Sequence, residues 1–196
     1  MKKISKWMFA AILLCGLVTT SCSKDDDDSG KTTPEPTPAA KTATTVDVKA
    51  YAVLADDMLE LFDVVVNFQG PTSSTSNKSL EKTTWIGGES IEKISSSAIF
   101  TFSVKVTPKA GVTVDTAKDY KLGLARSLAY VIQDASKNTI ATDGGKPDVA
   151  VTGVPGSKLT EDKIKQLAET YTMLGDEIKL EVYKDNYIVN GYKYNY

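Results

Sequence analysis

The chain predicts a mainly β fold, an antiparallel β-sandwich carrying one α-helix near residues 160–174. Three observations lead there. Phe100, Phe102, Val104 and Val106 alternate with Thr101, Ser103, Lys105 and Thr107, the two-residue period of a strand with one buried face. About eight to ten such short segments follow one another, joined by turn residues rather than helices, which argues for directly connected antiparallel strands of an immunoglobulin-like or related sandwich. A single segment has the helical period instead: Ile164, Leu167, Ala168 and Tyr171 fall at i, i+3, i+4 and i+7.

In chain order, Lys2, Lys3 and Lys6 precede an apolar run from Trp7 to Val18. That run has the length of a secretory signal core and falls short of the roughly 20 residues that span a bilayer. Thr19-Thr20-Ser21 then lead into Cys22. Residues 1–21 read as a signal peptide. Residues 22–45 read as a tether: Ser23-Lys24-Asp25-Asp26-Asp27-Asp28, then a Thr/Pro/Ala stretch around Pro34-Glu35-Pro36-Thr37-Pro38. Alternating prolines favour polyproline II, so this segment predicts a stalk about 50 Å long. Residues 46–196 read as a single domain.

Within that domain, Val46, Val48, Ala50, Ala52 and Leu54 alternate with Asp47, Lys49, Tyr51 and Val53 as a half-buried strand. Asp56 is placed to cap a helical turn that directs Met58, Leu59, Leu61 and Phe62 inward. Asp63–Phe68 is a strand ended by Gly70-Pro71, Thr72–Ser79 a polar loop, and Leu80–Ile86 a strand ended by Gly87-Gly88. Ala98–Thr107 stops at Pro108, which cannot donate to a ladder. Tyr120–Asp134 predicts two strands broken at Gly123 or at Arg126-Ser127. Ala135-Ser136-Lys137-Asn138 turns into Thr139–Thr142, and a loop Asp143-Gly144-Gly145-Lys146-Pro147 follows. Thr160 is the N-cap of the helix, Glu161 and Asp162 its acidic first turn, and Gly175 its left-handed C-cap. Ile178, Leu180 and Val182 then alternate as a strand, Lys184-Asp185-Asn186 turns the chain, Tyr187–Val189 returns, and Asn190-Gly191 predicts a tight turn.

Composition narrows the function. Removing residues 1–21 takes Lys2, Lys3 and Lys6 from the 23 basic residues and none of the 25 acidic ones, leaving a net charge of −5. A mildly acidic chain without a basic cluster is unsuited to nucleic acid. Histidine is absent, which removes Ser-His-Asp and Cys-His catalysis and the usual zinc and copper ligands. No cofactor and no metal site is predicted. Asp56, Asp57 and Glu60 come nearest to a carboxylate cluster of the glycoside-hydrolase kind, but at the head of a turn they read as structural. Asp143–Asp148 lacks the spaced acids of a calcium loop and reads as a glycine-rich surface loop.

The small residue before Cys22, at the end of an apolar core, resembles the lipobox of bacterial lipoproteins, although Thr19 stands where an aliphatic residue is usual. Cys15 is the competing cysteine, and bulky Leu13-Leu14 before it disfavour cleavage there. Directly after Cys22, the acidic run Asp25–Asp28 resembles the export signal of Bacteroides-type surface-exposed lipoproteins. A helical turn after the first strand, then a Val-rich strand, is similar to the small β-sandwich domains of that group. The resemblance implies acylation of Cys22, partnership with outer-membrane lipid, and a domain facing the cell exterior. It also implies polysaccharide capture, since surface lipoproteins of such bacteria commonly serve polysaccharide uptake.

Candidate binding residues follow from the aromatic pattern. Trp85 is the only tryptophan after residue 7; its ring is either an exposed sugar platform at a strand end or part of the core. Tyr192, Tyr194 and Tyr196 alternate with Lys193 and Asn195, so a strand places three rings on one face, beside Tyr183 and Tyr187. Amphipathic rings on a sheet face suit carbohydrate or protein contact, and equally suit padding of an edge strand. Thr116, in Asp115-Thr116-Ala117, resembles the short O-glycosylation motif of the same bacteria. The expected function is a non-enzymatic, surface-anchored binding module for glycan. The alternatives are an assembly partner of another surface protein or appendage and, more distantly, a carboxylate-based glycoside hydrolase.

Overall fold

The computed structural model describes residues 41–196. Cys22 and Ser23, Lys24, Asp25, Asp26, Asp27 and Asp28, the expected lipidation and export residues, lie outside the described residues, as does the Pro-rich part of the expected tether.

The domain is an antiparallel β-sandwich. The four-stranded sheet runs β4(Thr84–Ile91)-β1(Thr45–Leu54)-β7(Leu124–Gln133)-β8(Thr139–Asp143). The six-stranded sheet runs β12(Tyr192–Asn195)-β11(Asn186–Val189)-β10(Ile178–Tyr183)-β5(Ser97–Pro108)-β2(Phe62–Gln69)-β3(Ser74–Ser79). A small third sheet pairs β6(Asp119–Leu122) with β9(Thr152–Pro155). The alternation read from the sequence is the alternation of burial. Val46, Val48, Ala50 and Ala52 of β1 face Phe100, Phe102, Val104 and Val106 of β5, all of them buried. The described residues form one compact unit, and their buried core runs from Ala43 to Val182 and draws on both sheets.

The short helix α1(Met58–Leu61) buries Met58 and Leu61, and Phe62 after it, as expected. Its N-cap is Asp57 rather than Asp56, and no side chain caps it. The Asp57 carboxylate instead accepts from the Lys121 N–H at 2.6 Å and pairs with Lys118 at 2.8 Å. The helix α2(Glu161–Leu174) has the expected Thr160 cap, whose hydroxyl accepts from the Lys163 N–H, and it buries Ile164, Ala168 and Tyr171.

Its position explains one departure. Strand β10 covers β5 only from Ser97 to Phe102. Beyond that, the end of α2 takes the place of a strand. The Gly175 carbonyl accepts from the Val104 N–H at 2.8 Å, and the Thr172 hydroxyl accepts from the Val106 N–H at 3.1 Å and donates to the Val106 carbonyl at 2.9 Å. Gly175 therefore is not the left-handed cap expected: its φ is −88°. It is glycine because an added Cβ would lie 2.0 Å from the Val104 carbonyl oxygen.

Three further boundaries differ. The polar stretch expected as a loop contains β3, whose hydroxyl-bearing residues form an exposed edge paired to β2. The strand expected over Leu80–Ile86 is β4, beginning at Thr84 and running through Gly87-Gly88 to Ile91. These glycines continue the strand where side chains would not fit: a Cβ on Gly88 would meet the Val48 carbonyl oxygen at 2.2 Å, and one on Gly87 would meet the Trp85 ring at 2.3 Å. At the start of the domain, Ala43 is buried, its N–H donates to the Lys184 carbonyl, and Thr45 opens β1, so these residues belong to the sandwich. The break at Gly123, between β6 and β7, is one of the two expected.

Candidate functional site

The side chains gathered most suggestively for recognition are the tyrosines of β11 and β12. The hairpin between these strands follows from Asn190-Gly191: both residues have positive φ, 48° and 85°, the backbone of a type I′ turn that Asn and Gly tolerate best. The turn is pinned to β10, since the Asn190 N–H donates to the Lys179 carbonyl at 2.9 Å and the Asn190 side-chain oxygen accepts from the Lys179 N–H at 2.8 Å.

The hairpin register sets the face. Val182 of β10 opposes Tyr187, and Tyr187 opposes Tyr194. Residues opposed in a ladder share a face, so Tyr187 and Tyr194 lie on the core side with the fully buried Val182. The rings meet there. Tyr187 stacks on Tyr194 with centroids 5.0 Å apart and planes 17° off parallel, and on Tyr196 at 5.7 Å and 23°. From the opposite sheet, Tyr130 of β7 packs against Tyr187 at 5.6 Å and 59°. The Tyr196 hydroxyl donates to the Tyr183 carbonyl at 3.2 Å. Offset or tilted ring pairs at these separations are each worth about 0.5–1.5 kcal/mol beyond their buried area.

The cluster grades from core to surface. Tyr130 is 5% exposed, Tyr187 and Tyr196 are half-buried, Tyr194 is 46% exposed and Tyr192 is 72% exposed. Burial, with Tyr187 beside it, pushes the Tyr130 phenol well above its ordinary pKa, and burial does the same to Tyr196. These phenols stay neutral and keep their donor hydrogens. The Asp185 carboxylate, just before β11, lies close enough to Tyr196 to add to the rise of its phenol, and it accepts from the Asn186 amide at 2.7 Å. The arrangement is an aromatic shelf with its inner rings locked by packing and its outer rings, Tyr194 and Tyr192, open.

The other sequence candidates lie apart from it. Tyr183 is on the opposite face, donating to Glu181, which also pairs with Lys179. Trp85 is half-buried, its ring stacked on Phe102 at 5.6 Å and 10° off parallel and lying over Gly87, and only part of it reaches the shallow hollow lined by Leu80 and Lys82. It is the second residue of β4, at the end where the strand begins, and the strand continues past Gly87-Gly88. Thr116 is exposed at the tip of a turn in which the Asp115 carboxylate accepts from the Ala117 N–H at 2.9 Å. Asp57 and Glu60 converge on Lys118, whose ammonium lies 2.7 Å from Glu60 and 4.7 Å from the centre of the Tyr120 ring. The bond from Lys118 holds the Asp57 carboxyl below its usual range. Among the described residues no group of three or more acidic, His or Cys side chains is placed to hold a metal ion, and no helix is long and apolar enough to cross a membrane.

Sequence reasoning named Tyr187, Tyr192, Tyr194 and Tyr196 but missed Tyr130. Its only signal was the alternation Leu128, Tyr130, Ile132, which marks an inward face without saying what it meets. Comparison with protein-family models, with curated proteins and with solved structures finds no match.

Proposed function

We propose that the chain is a surface-anchored binding lipoprotein that captures polysaccharide on the shelf formed by Tyr187, Tyr192, Tyr194 and Tyr196. The observation that carries this reading is the exposed Tyr194 ring stacked on Tyr187, which Tyr196 and Tyr130 hold in turn, with Tyr192 exposed on the same strand face beside it. Because the inner rings are fixed in the free protein, a ligand would not have to order them, and the entropy cost of binding is reduced. An apolar ring face edged by hydroxyls suits the C–H face of a sugar, which stacks while its hydroxyls reach polar groups. Cys22 carries the lipid in this reading, and Asp25–Asp28 direct the domain to the outer face of the outer membrane.

Two features favour binding over turnover. The sequence holds no histidine, and the acids nearest to a cluster, Asp57 and Glu60, are occupied by Lys118. A catalytic carboxylic acid needs a raised pKa, and that of Asp57 is lowered.

The test is to titrate a fragment spanning residues 41–196 with host and plant polysaccharides by affinity electrophoresis. Retardation by at least one glycan is expected, weakened about tenfold in Tyr194→Ala, which corresponds to about 1.4 kcal/mol. Migration unchanged by every glycan, or retardation of Tyr194→Ala and Tyr192→Ala that equals the parent's, overturns the assignment. The assembly-partner reading keeps one specific support, the exposed outer edge of β12.

A further inference from the structure

We propose that β12 is a pairing edge for a second copy of this chain, the two strands running antiparallel about a two-fold axis at Tyr194. Among the described residues the sandwich has four edge strands, and two of them are interrupted. Strand β3 has a register irregularity between Val66 and Phe68 of its partner and a left-handed Asn77. Strand β8 has an irregularity at Ile132/Gln133 and ends in the left-handed Gly144. Strand β4 runs in unbroken register with β1, and the carboxylate of its Glu89 accepts from Thr72 and Ser73 of the loop that follows β2. Bulges and covering loops are the usual means of blocking strand addition. Strand β12 has neither: it runs in unbroken register with β11, all four of its residues are exposed, and its short length and Lys193 limit pairing there without blocking it.

The register selects the partner. A two-residue hairpin makes its flanking residues, Val189 and Tyr192, a hydrogen-bonded pair. Tyr192 and Tyr194 then bond to β11, while the N–H and C=O groups of Lys193 and Asn195 point outward. A two-fold axis at Tyr194 sets Lys193 of each copy opposite Asn195 of the other and forms about four N–H···O bonds. On the opposite face, Tyr194 meets Tyr194, and Tyr192 meets Tyr196, joining two aromatic shelves into one. The adjacent register, centred on Lys193, would oppose two ammonium groups, which is destabilising. It would also bring the turn residue Gly191 into the ladder. The sequence Tyr-Lys-Tyr-Asn thus pairs with itself in one register and opposes itself in the next. So short an edge buries less than a stable interface needs, and the dimer is accordingly weak and concentration-dependent. The proposal uses the strand edge and leaves the ring faces open, so it does not rest on glycan capture.

The test uses the fragment 41–196, which contains neither Cys15 nor Cys22. Sedimentation equilibrium is expected to show the mass rising from one chain towards two up to about 1 mM. Lys193→Pro, which removes an outward N–H and leaves the β11 ladder its donors, is expected to keep it at one. In a single-cysteine series, Tyr194→Cys places the two sulfurs within disulfide reach across the axis, whereas Tyr192→Cys leaves them about 13 Å apart along the strands. Oxidative cross-linking about tenfold faster at position 194 is expected. A chain that stays monomeric to about 1 mM with equal cross-linking at both positions overturns the proposal. So does a dimer that survives Lys193→Pro and cross-links no faster at 194, since another surface then holds it. Should the proline variant fail to fold, the two cross-linking rates decide.

Discussion

Tyr187→Ala removes the ring on which the shelf is built. The side chain stacks on Tyr194 and Tyr196 and tilts against Tyr130. Three ring contacts at about 0.5–1.5 kcal/mol each, together with the half-buried area lost, come to about 3 kcal/mol, within the range for truncating a large aromatic. For a domain of this size that corresponds to a fall in Tm of about 6–12 °C. Urea unfolding of residues 41–196, followed by the fluorescence of Trp85, measures the loss without disturbing the reporter, which lies against Phe102 in another part of the sandwich. Tyr192→Ala is the control: at 72% exposed, it is expected to change stability by less than about 0.5 kcal/mol. Both variants should lose glycan binding, Tyr187→Ala by disordering Tyr194 and Tyr192→Ala by removing a contact, so stability is what separates them. A Tyr187→Ala loss below about 1 kcal/mol would mean that the rings touch without supporting one another. The preorganised shelf would then be refuted.

Two further outcomes follow from the frame that holds the shelf. Thr172→Val keeps the shape of the side chain but strips the Val106 N–H and C=O of their partner; denaturation should show a loss of about 1–3 kcal/mol, whereas Thr170→Val, whose hydroxyl only bonds back to Gln166, should be near neutral. In acid, burial raises the Glu89 carboxyl, but bonds from Thr72 and Ser73 outweigh it and leave the pKa lowered, and Lys118 lowers that of Asp57. Both therefore stabilise fully above their unfolded values of 4.5 and 3.8, and that support is lost as pH falls through the lower folded values. The midpoint in urea should drop on acidification, and Glu89→Gln should be less stable than the parent at neutral pH but flatten the drop.

The parts of the fold legible in the sequence are those where one residue's neighbours in sequence are also its neighbours in physics. The alternation of β1 and β5, the cap of α2 at Thr160 and the turn at Asn190-Gly191 all depend on side-chain period or backbone dihedral. Strand β3 was illegible because Ser and Thr suit loops and exposed edges alike, and only pairing with Val65, Val66, Phe68 and Gln69 of β2 decides between them. Gly87, Gly88 and Gly175 were misread as punctuation. Each is glycine because a distant backbone or ring comes close, and that distance is a property of packing.

The same division runs through the candidate site. The sequence alone determined that Tyr192 and Tyr194 share a face and that no histidine chemistry is available. It also determined that residues 41–196, which contain no cysteine, hold together without a disulfide. Only the tertiary structure decided that Tyr187 is the central ring, that Tyr130 reaches it from the other sheet, and that Trp85 belongs with Phe102. It likewise decided that α2 closes one strand edge while β12 is left open. A strand's period is written every second residue, whereas the contact between two sheets joins positions as distant as Tyr130 and Tyr187 and exists only once both have folded.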